Sequence, residues 1–217
     1  MKTRAAALLA STLIVSGCGL ISGSRSEGGK ADATKGTKGT KETNMNMQEA
    51  ADHAEGIIDA TLKAINPSVE VMRGPSSDSS CTDFKNDGTG TGSVSRRRYV
   101  MTIISVERRG SFLGVVQRYW KKEGYEIISV RNSTDMPAIF ATAPDGFQVS
   151  LEFGYKGQAG FHVTSPCVAE SKVTEAPRKP LDPNSPESKG LPYVHSDFWS
   201  ARTPVPSSSP TASAGEG

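Results

Sequence analysis

The chain predicts an α+β domain of two layers, with two helices packed on one face of an antiparallel sheet of about five strands. The expected order is α-β-β-α-β-β-β, flanked by disordered N- and C-terminal segments. Two observations carry this reading. Two stretches repeat apolar residues at helical spacing, and short β-branched and aromatic runs alternate with turn chemistry around them. Those runs are joined as hairpins, which is antiparallel connectivity.

The first helix opens at Asn46, with Glu49 three residues on as a capping-box acid. Met47, Ala50, Ala54, Ile57, Ile58, Leu62 and Ile65 form its apolar face, and Asn66-Pro67 stops it. Residues 69–72 read as a short strand leading into a polar loop through Cys81. A long strand is expected over 96–106, with Tyr99, Met101 and Ile103 facing one way and Val100, Ile104 and Val106 the other. Ser111 is the expected cap of the second helix. Phe112, Val115, Val116, Tyr119 and Trp120 are its apolar face, and Gly124 ends it.

Strands Glu126–Arg131 and Ala138–Thr142 follow. Pro144-Asp145-Gly146 is turn chemistry, and it introduces the clearest alternation in the chain. There Phe147, Val149, Leu151, Phe153 and Tyr155 interleave with Gln148, Ser150 and Glu152, as in a strand with one wet face. A glycine-rich turn then returns the chain over 161–167.

This domain occupies residues 45–170, a normal size for one hydrophobic core. Before it, residues 18–44 are rich in Gly, Ser, Thr and Lys, repeat Lys-Gly-Thr, and read as a flexible tether. After it, residues 171–217 hold eight of the thirteen prolines and read as a Pro/Ser-rich, mostly disordered tail. Within that tail Tyr193, Phe198 and Trp199 cluster in a way that disordered chain does not require. They dock on the domain, present a partner site, or stay mobile.

Residues 1–17 have the form of a secretory signal: Lys2 and Arg4, then a short apolar run from Ala5 to Val15. That run falls short of the ~20 residues needed to span a bilayer. It ends in Val15-Ser16-Gly17-Cys18, which resembles the lipobox of bacterial lipoproteins. Taken with the tether, the small α+β domain ending in VTSPC and the Pro/Ser tail, the layout resembles the uncharacterised small cell-surface lipoproteins of high-GC Gram-positive bacteria, the actinobacteria. The resemblance implies cleavage before Cys18, acylation of its sulfur, and a lipid-anchored place on the extracytoplasmic face of the cell membrane. It implies no active site. With Cys18 acylated in an oxidising compartment, Cys81 and Cys167 remain as the expected disulfide. Loss of Lys2 and Arg4 takes the basic count from 25 to 23, equal to the 23 acidic residues, so the mature chain is formally neutral.

Motifs that carry chemistry are largely missing. The loop Asp83 to Gly88 fails as an EF-hand, because Lys85 falls on a ligand position and Val94 on the closing glutamate. The DGTGTGS glycines fit neither a dinucleotide fingerprint nor a phosphate loop. His53-Ala54-Glu55 matches half of a zinc-deaminase signature, but no P-C-x-x-C follows. There is no G-x-S-x-G and no S-x-x-K. His53, His162 and His195 lack metal-ligand spacing, so no metal site and no cofactor is expected.

Charge is distributed unevenly. Arg96, Arg97, Arg98, Arg108, Arg109, Arg118, Lys121 and Lys122 stand against the single acid Glu107. The first helix carries Glu49, Asp52, Glu55 and Asp59. Either the two sets neutralise each other across the helix pair, or the basic set faces an anionic envelope component or an acidic protein. An exported, neutral chain gives no charge basis for nucleic acid. The expected function is a non-enzymatic, membrane-anchored binding or scaffold module. The alternative is a small envelope hydrolase or accessory subunit using His162 or His195.

Overall fold

The computed structural model describes residues 44–175 and 180–205. The signal segment, Cys18 and the tether through residue 43 lie outside the described residues, as do 176–179 and 206–217.

Within the described residues the fold is α+β: two α-helices and one open antiparallel sheet of eight strands, larger than the five expected. In chain order the elements are α1 (Met47–Lys63), β1 (Val71–Arg73), β2 (Ser77–Thr82), β3 (Gly88–Val100) and α2 (Val106–Lys122). Then follow β4 (Glu126–Arg131), β5 (Ala138–Thr142), β6 (Gln148–Phe153), β7 (Ala159–Thr164) and β8 (Val168–Ala169). The strand order is β1-β3-β7-β6-β5-β4, with β2 and β8 also paired to β3.

Strand β3 organises the sheet. Ser95 pairs with Ser77 on one side and Thr164 on the other, so one edge of β3 carries β1 and β2 and the other carries β7 and β8. Alternate residues of β3, β6 and β7 (Val94 and Val100, Val149 and Leu151, Phe161 and Val163) join the apolar faces of α1 and α2 in a single core. Gly92 of β3 lies under α1. A Cβ there would stand 2.5 Å from Met47 Sδ and 3.0 Å from the Ser79 carbonyl, so this crossing requires glycine.

The capping box on α1 forms as its sequence signature predicts. Asn46 accepts from the Gln48 and Glu49 amides, and the Glu49 carboxylate accepts from the Asn46 amide at 2.9 Å. Three expectations are corrected. The long strand ends at Val100, not 106, because the backbone of 101–105 pairs with remote chain. Met101 N–H donates to Glu70 O, Ile103 N–H to Val194 O and Ser105 N–H to Trp199 O. The second helix starts at Val106 with Ser105 as N-cap, not at Ser111, which places Arg108 and Arg109 inside its first turn. The supposed polar loop before Cys81 contains strand β2, whose residues are mostly exposed and pair only along the edge of β3.

Candidate functional site

The described part of the tail is bound to the domain. Trp199 is 1% exposed and meets Phe112 edge-on with centroids 5.0 Å apart, while its indole N–H donates to Pro67 O at 2.6 Å. Phe198 packs partly buried against the core and edge-on to Trp199 at 4.7 Å. Tyr193 remains exposed. Its backbone N–H donates to Met101 O at 2.8 Å, and its hydroxyl donates to the Glu187 carboxylate. That contact, through the hydroxyl proton, holds the phenol pKa above its usual 10. The core therefore draws on residues beyond 170, where the domain was expected to end.

The Cys81–Cys167 disulfide is formed, with Cα atoms 6.3 Å apart. It ties β2 to the residue preceding β8, two segments that flank β3 on opposite edges. Closing a loop of sequence separation 86 restricts the unfolded chain, worth about 4.6 kcal/mol in the chain-entropy picture.

The eight basic residues do not converge on one surface. Arg96 and Arg98, both 5% exposed, lie under α1. There Glu55 pairs with Arg98 Nη2 and stands 3.7 Å from Arg96 Nε, and it also accepts from Arg73 Nη1 at 2.6 Å. Arg108 and Arg109 are buried too, with their guanidinium carbons 4.8 Å and 5.4 Å from the Phe198 and Phe153 ring centroids. Arg97 is half-buried on the face of β3 opposite α1. Only Arg118, Lys121 and Lys122, at the end of α2, are exposed. The α1 acids Glu55 and Asp59 thus meet β3 rather than α2.

The three histidines lie apart. His53 Nε2 sits 2.5 Å from Asp145 Oδ2, and His195 Nδ1 sits 3.7 Å from Asp197 with both side chains exposed. His162 approaches Thr164 Oγ1 at 3.4 Å. Burial first, then the neighbouring Arg97 cation, lower the His162 pKa, with Glu152 acting in the opposite sense. No group of three metal-ligating side chains occurs among the described residues, and no described helix is long and apolar enough to cross a membrane.

One concave feature was not visible in the sequence. A cavity of about 970 Å³ opens between the β1–β3 edge, the β6–β7 turn and the returning segment 181–191. Its apolar wall comprises Met72, Pro75, Tyr99, Tyr155, Leu181 and Leu191. Arg73, Lys156 and Lys189 also line it, and among the described residues no carboxylate and no histidine does. Glycines fix the aromatic wall. Cβ atoms built on Gly74, Gly160 and Gly190 would lie 3.0, 3.4 and 3.7 Å from the Tyr99 ring, so backbone packs directly on it. Gly190 also adopts φ 63°, a conformation that favours glycine, where it closes the 3-10 turn Glu187–Lys189. The ring is thereby held by three separate chain segments. Tyr155 across the cavity is 87% exposed and free to stack.

No protein-family model and no curated protein matches this chain. Among solved structures, it is similar to a DUF4853 family protein from Actinomyces odontolyticus, at 14% identity and a TM-score of 0.34, over 63% of this chain and 70% of that one. A likeness at this level carries no functional argument.

Proposed function

We propose that the protein is a non-enzymatic binding module of the cell envelope, anchored through lipid on Cys18, and that the cavity under the C-terminal segment is its ligand site. The cavity carries this reading. Its volume, about 970 Å³, is that of a site for a small organic ligand, and it combines an apolar and aromatic wall with a few charged groups. Among the described residues its lining includes no histidine and no carboxylate, and what it offers a guest is enclosure, stacking and positive charge. The sequence supports the location: a signal-like start leading into Cys18, followed by a tether long enough to hold the domain off the membrane.

The test is native mass spectrometry of the full chain extracted from its own envelope, alongside Cys18→Ala and Met72→Trp. Wild type should partition with membranes and carry a small-molecule adduct. Cys18→Ala should appear in the soluble fraction. Met72→Trp, which fills the cavity wall, should stay on the membrane without the adduct. Adduct-free wild type that also takes up no added small molecule would sink the reading.

A further inference from the structure

The cavity's chemistry is specific enough to name a class of guest, an inference that rests on the binding reading above. We infer that it takes an amphiphilic anion: a molecule with one acidic phosphate or carboxylate head and an apolar body. The head would sit among Lys156, Lys189 and Arg73, and the body against Tyr99, Met72 and Leu191.

Among the described residues three cations and no carboxylate line the cavity, on a chain with nearly balanced charge overall. Elsewhere in the described structure, the buried arginines find an acid or a ring: Glu55 stands by Arg96 and Arg98, and aromatic rings stand by Arg108 and Arg109. Glu55 also engages Arg73 at 2.6 Å, which fixes that guanidinium at the cavity edge and offsets part of its charge. Lys156 and Lys189 have no ion pair among the described residues, and both are exposed. The nearby acid Glu187 accepts from the Tyr193 hydroxyl and makes no ion pair with either lysine. Two cations from different segments, the β6–β7 turn and the 3-10 turn, therefore line the cavity without an ion-pair partner among the described residues and offer it positive charge.

A bare anion would use only that rim. The wall below it is apolar: the fixed Tyr99 ring, Met72 and Leu191, with Leu181 at 37% exposure. Left empty, this surface gains nothing from water. An acyl chain or ring laid on it removes apolar area from solvent at both partners. A neutral amphiphile would satisfy the wall and leave the lysines solvated. Only a guest with both parts answers both halves of the lining.

Calorimetric titration of the folded, full chain with four soluble probes tests this. The probes are dodecyl phosphate, dihexanoyl phosphatidylglycerol, dihexanoyl phosphatidylcholine and inorganic phosphate. Each amphiphile is kept below its micelle concentration. The anionic amphiphiles should bind at least about tenfold more tightly than the phosphatidylcholine of equal chain length, a ratio within reach of one charge-assisted contact. Lys156→Glu with Lys189→Glu should erase that preference and leave circular dichroism unchanged, since both side chains are exposed. Preference for the phosphatidylglycerol over dodecyl phosphate would identify a membrane lipid as the source, and the reverse order a free amphiphile; either supports the class. Equal binding of phosphatidylcholine overturns the acidic head while leaving the cavity a binding site. Equal binding of inorganic phosphate overturns the apolar body. Binding of none of the four overturns this inference, and the broader reading then stands or falls on the adduct seen with native material.

Discussion

Two pairs of buried arginines solve the same problem differently. Arg96 and Arg98 on β3, and Arg108 and Arg109 on α2, are each 5–8% exposed. The β3 pair meets a carboxylate, because strand alternation turns residues 96 and 98 toward α1, where Glu55 sits one turn before Asp59. The α2 pair meets aromatic faces instead, Phe198 from the tail and Phe153 from β6. Arg108 Nε and Nη1 and Arg109 Nε have no hydrogen-bond partner among the described residues. Burial accordingly lowers the Arg109 pKa from its usual value, only partly offset by Asp135 and Glu107. The first pair is neutralised within the domain. The second is covered, and for Arg108 the cover comes from the C-terminal segment. The comparison shows how a chain can use cations both to lock a helix to a sheet and to seat a returning tail.

The largest effect should come from removing the shared carboxylate. Glu55→Ala leaves Arg96 and Arg98 buried without their anion, and breaking a buried pair in this way costs about 3–5 kcal/mol. Urea unfolding should show the loss as a lowered midpoint with little change in slope. Replacing the whole cluster (Glu55→Leu, Arg96→Met, Arg98→Met) should recover most of it, because apolar substitutes avoid the desolvation penalty. If Glu55→Ala proves as benign as a surface change, the cluster is solvated and the contrast with α2 collapses.

The α2 pair should respond more mildly. Phe198→Ala removes the ring beneath Arg108 and an edge contact to Trp199, for an expected loss of about 2 kcal/mol. Arg108→Met should cost less than Phe198→Ala, since it discards a cation–π contact but also removes two buried donors without partners. The ordering is the informative part. Were Arg108→Met the more damaging change, the guanidinium would be satisfied by something other than the ring.

How far the sequence revealed this arrangement follows from where each signal is written. The start of α1 was legible because a capping box is local, three residues wide, and independent of the rest of the fold. The start of α2 was not. Its first turn, Val106-Glu107-Arg108-Arg109, buries arginines where hydrophobic periodicity looks for leucines, and Ser105 donates its hydroxyl to Ala201 O instead of capping the helix. The alternation over 101–106 reads as a continuation of the strand, but the backbone partners there, Val194 and Trp199, lie some ninety residues away, so β3 ends at Val100. Strand β2, Ser-Asp-Ser-Ser-Cys-Thr, has no apolar alternation because neither of its faces is buried. The cavity was beyond reach for a related reason. Its lining is gathered from four separated stretches, and each alone reads as an ordinary turn or edge.

The smallest effect concerns the one β3 arginine that faces the other way. Arg97 lies between Arg96 and Arg98 in sequence but points away from Glu55, and it pairs in register with His162 of β7. Burial and this cation hold the folded-state His162 pKa below the ordinary 6.5, against the weaker pull of Glu152. The unfolded chain therefore binds a proton more readily than the folded one across the interval between the two values. Stability contributed by the neutral ring is present above 6.5, falls as the pH drops through that interval, and is gone below the depressed folded value. Arg97→Gln removes the second cause of the shift, so the His162 titration followed by NMR should move upward and the acid-induced loss should shrink. His162→Gln should abolish that component altogether. An unmoved titration in Arg97→Gln would mean that burial alone sets the shift, and that Arg97, unlike its two neighbours, acts on no other charge in the fold.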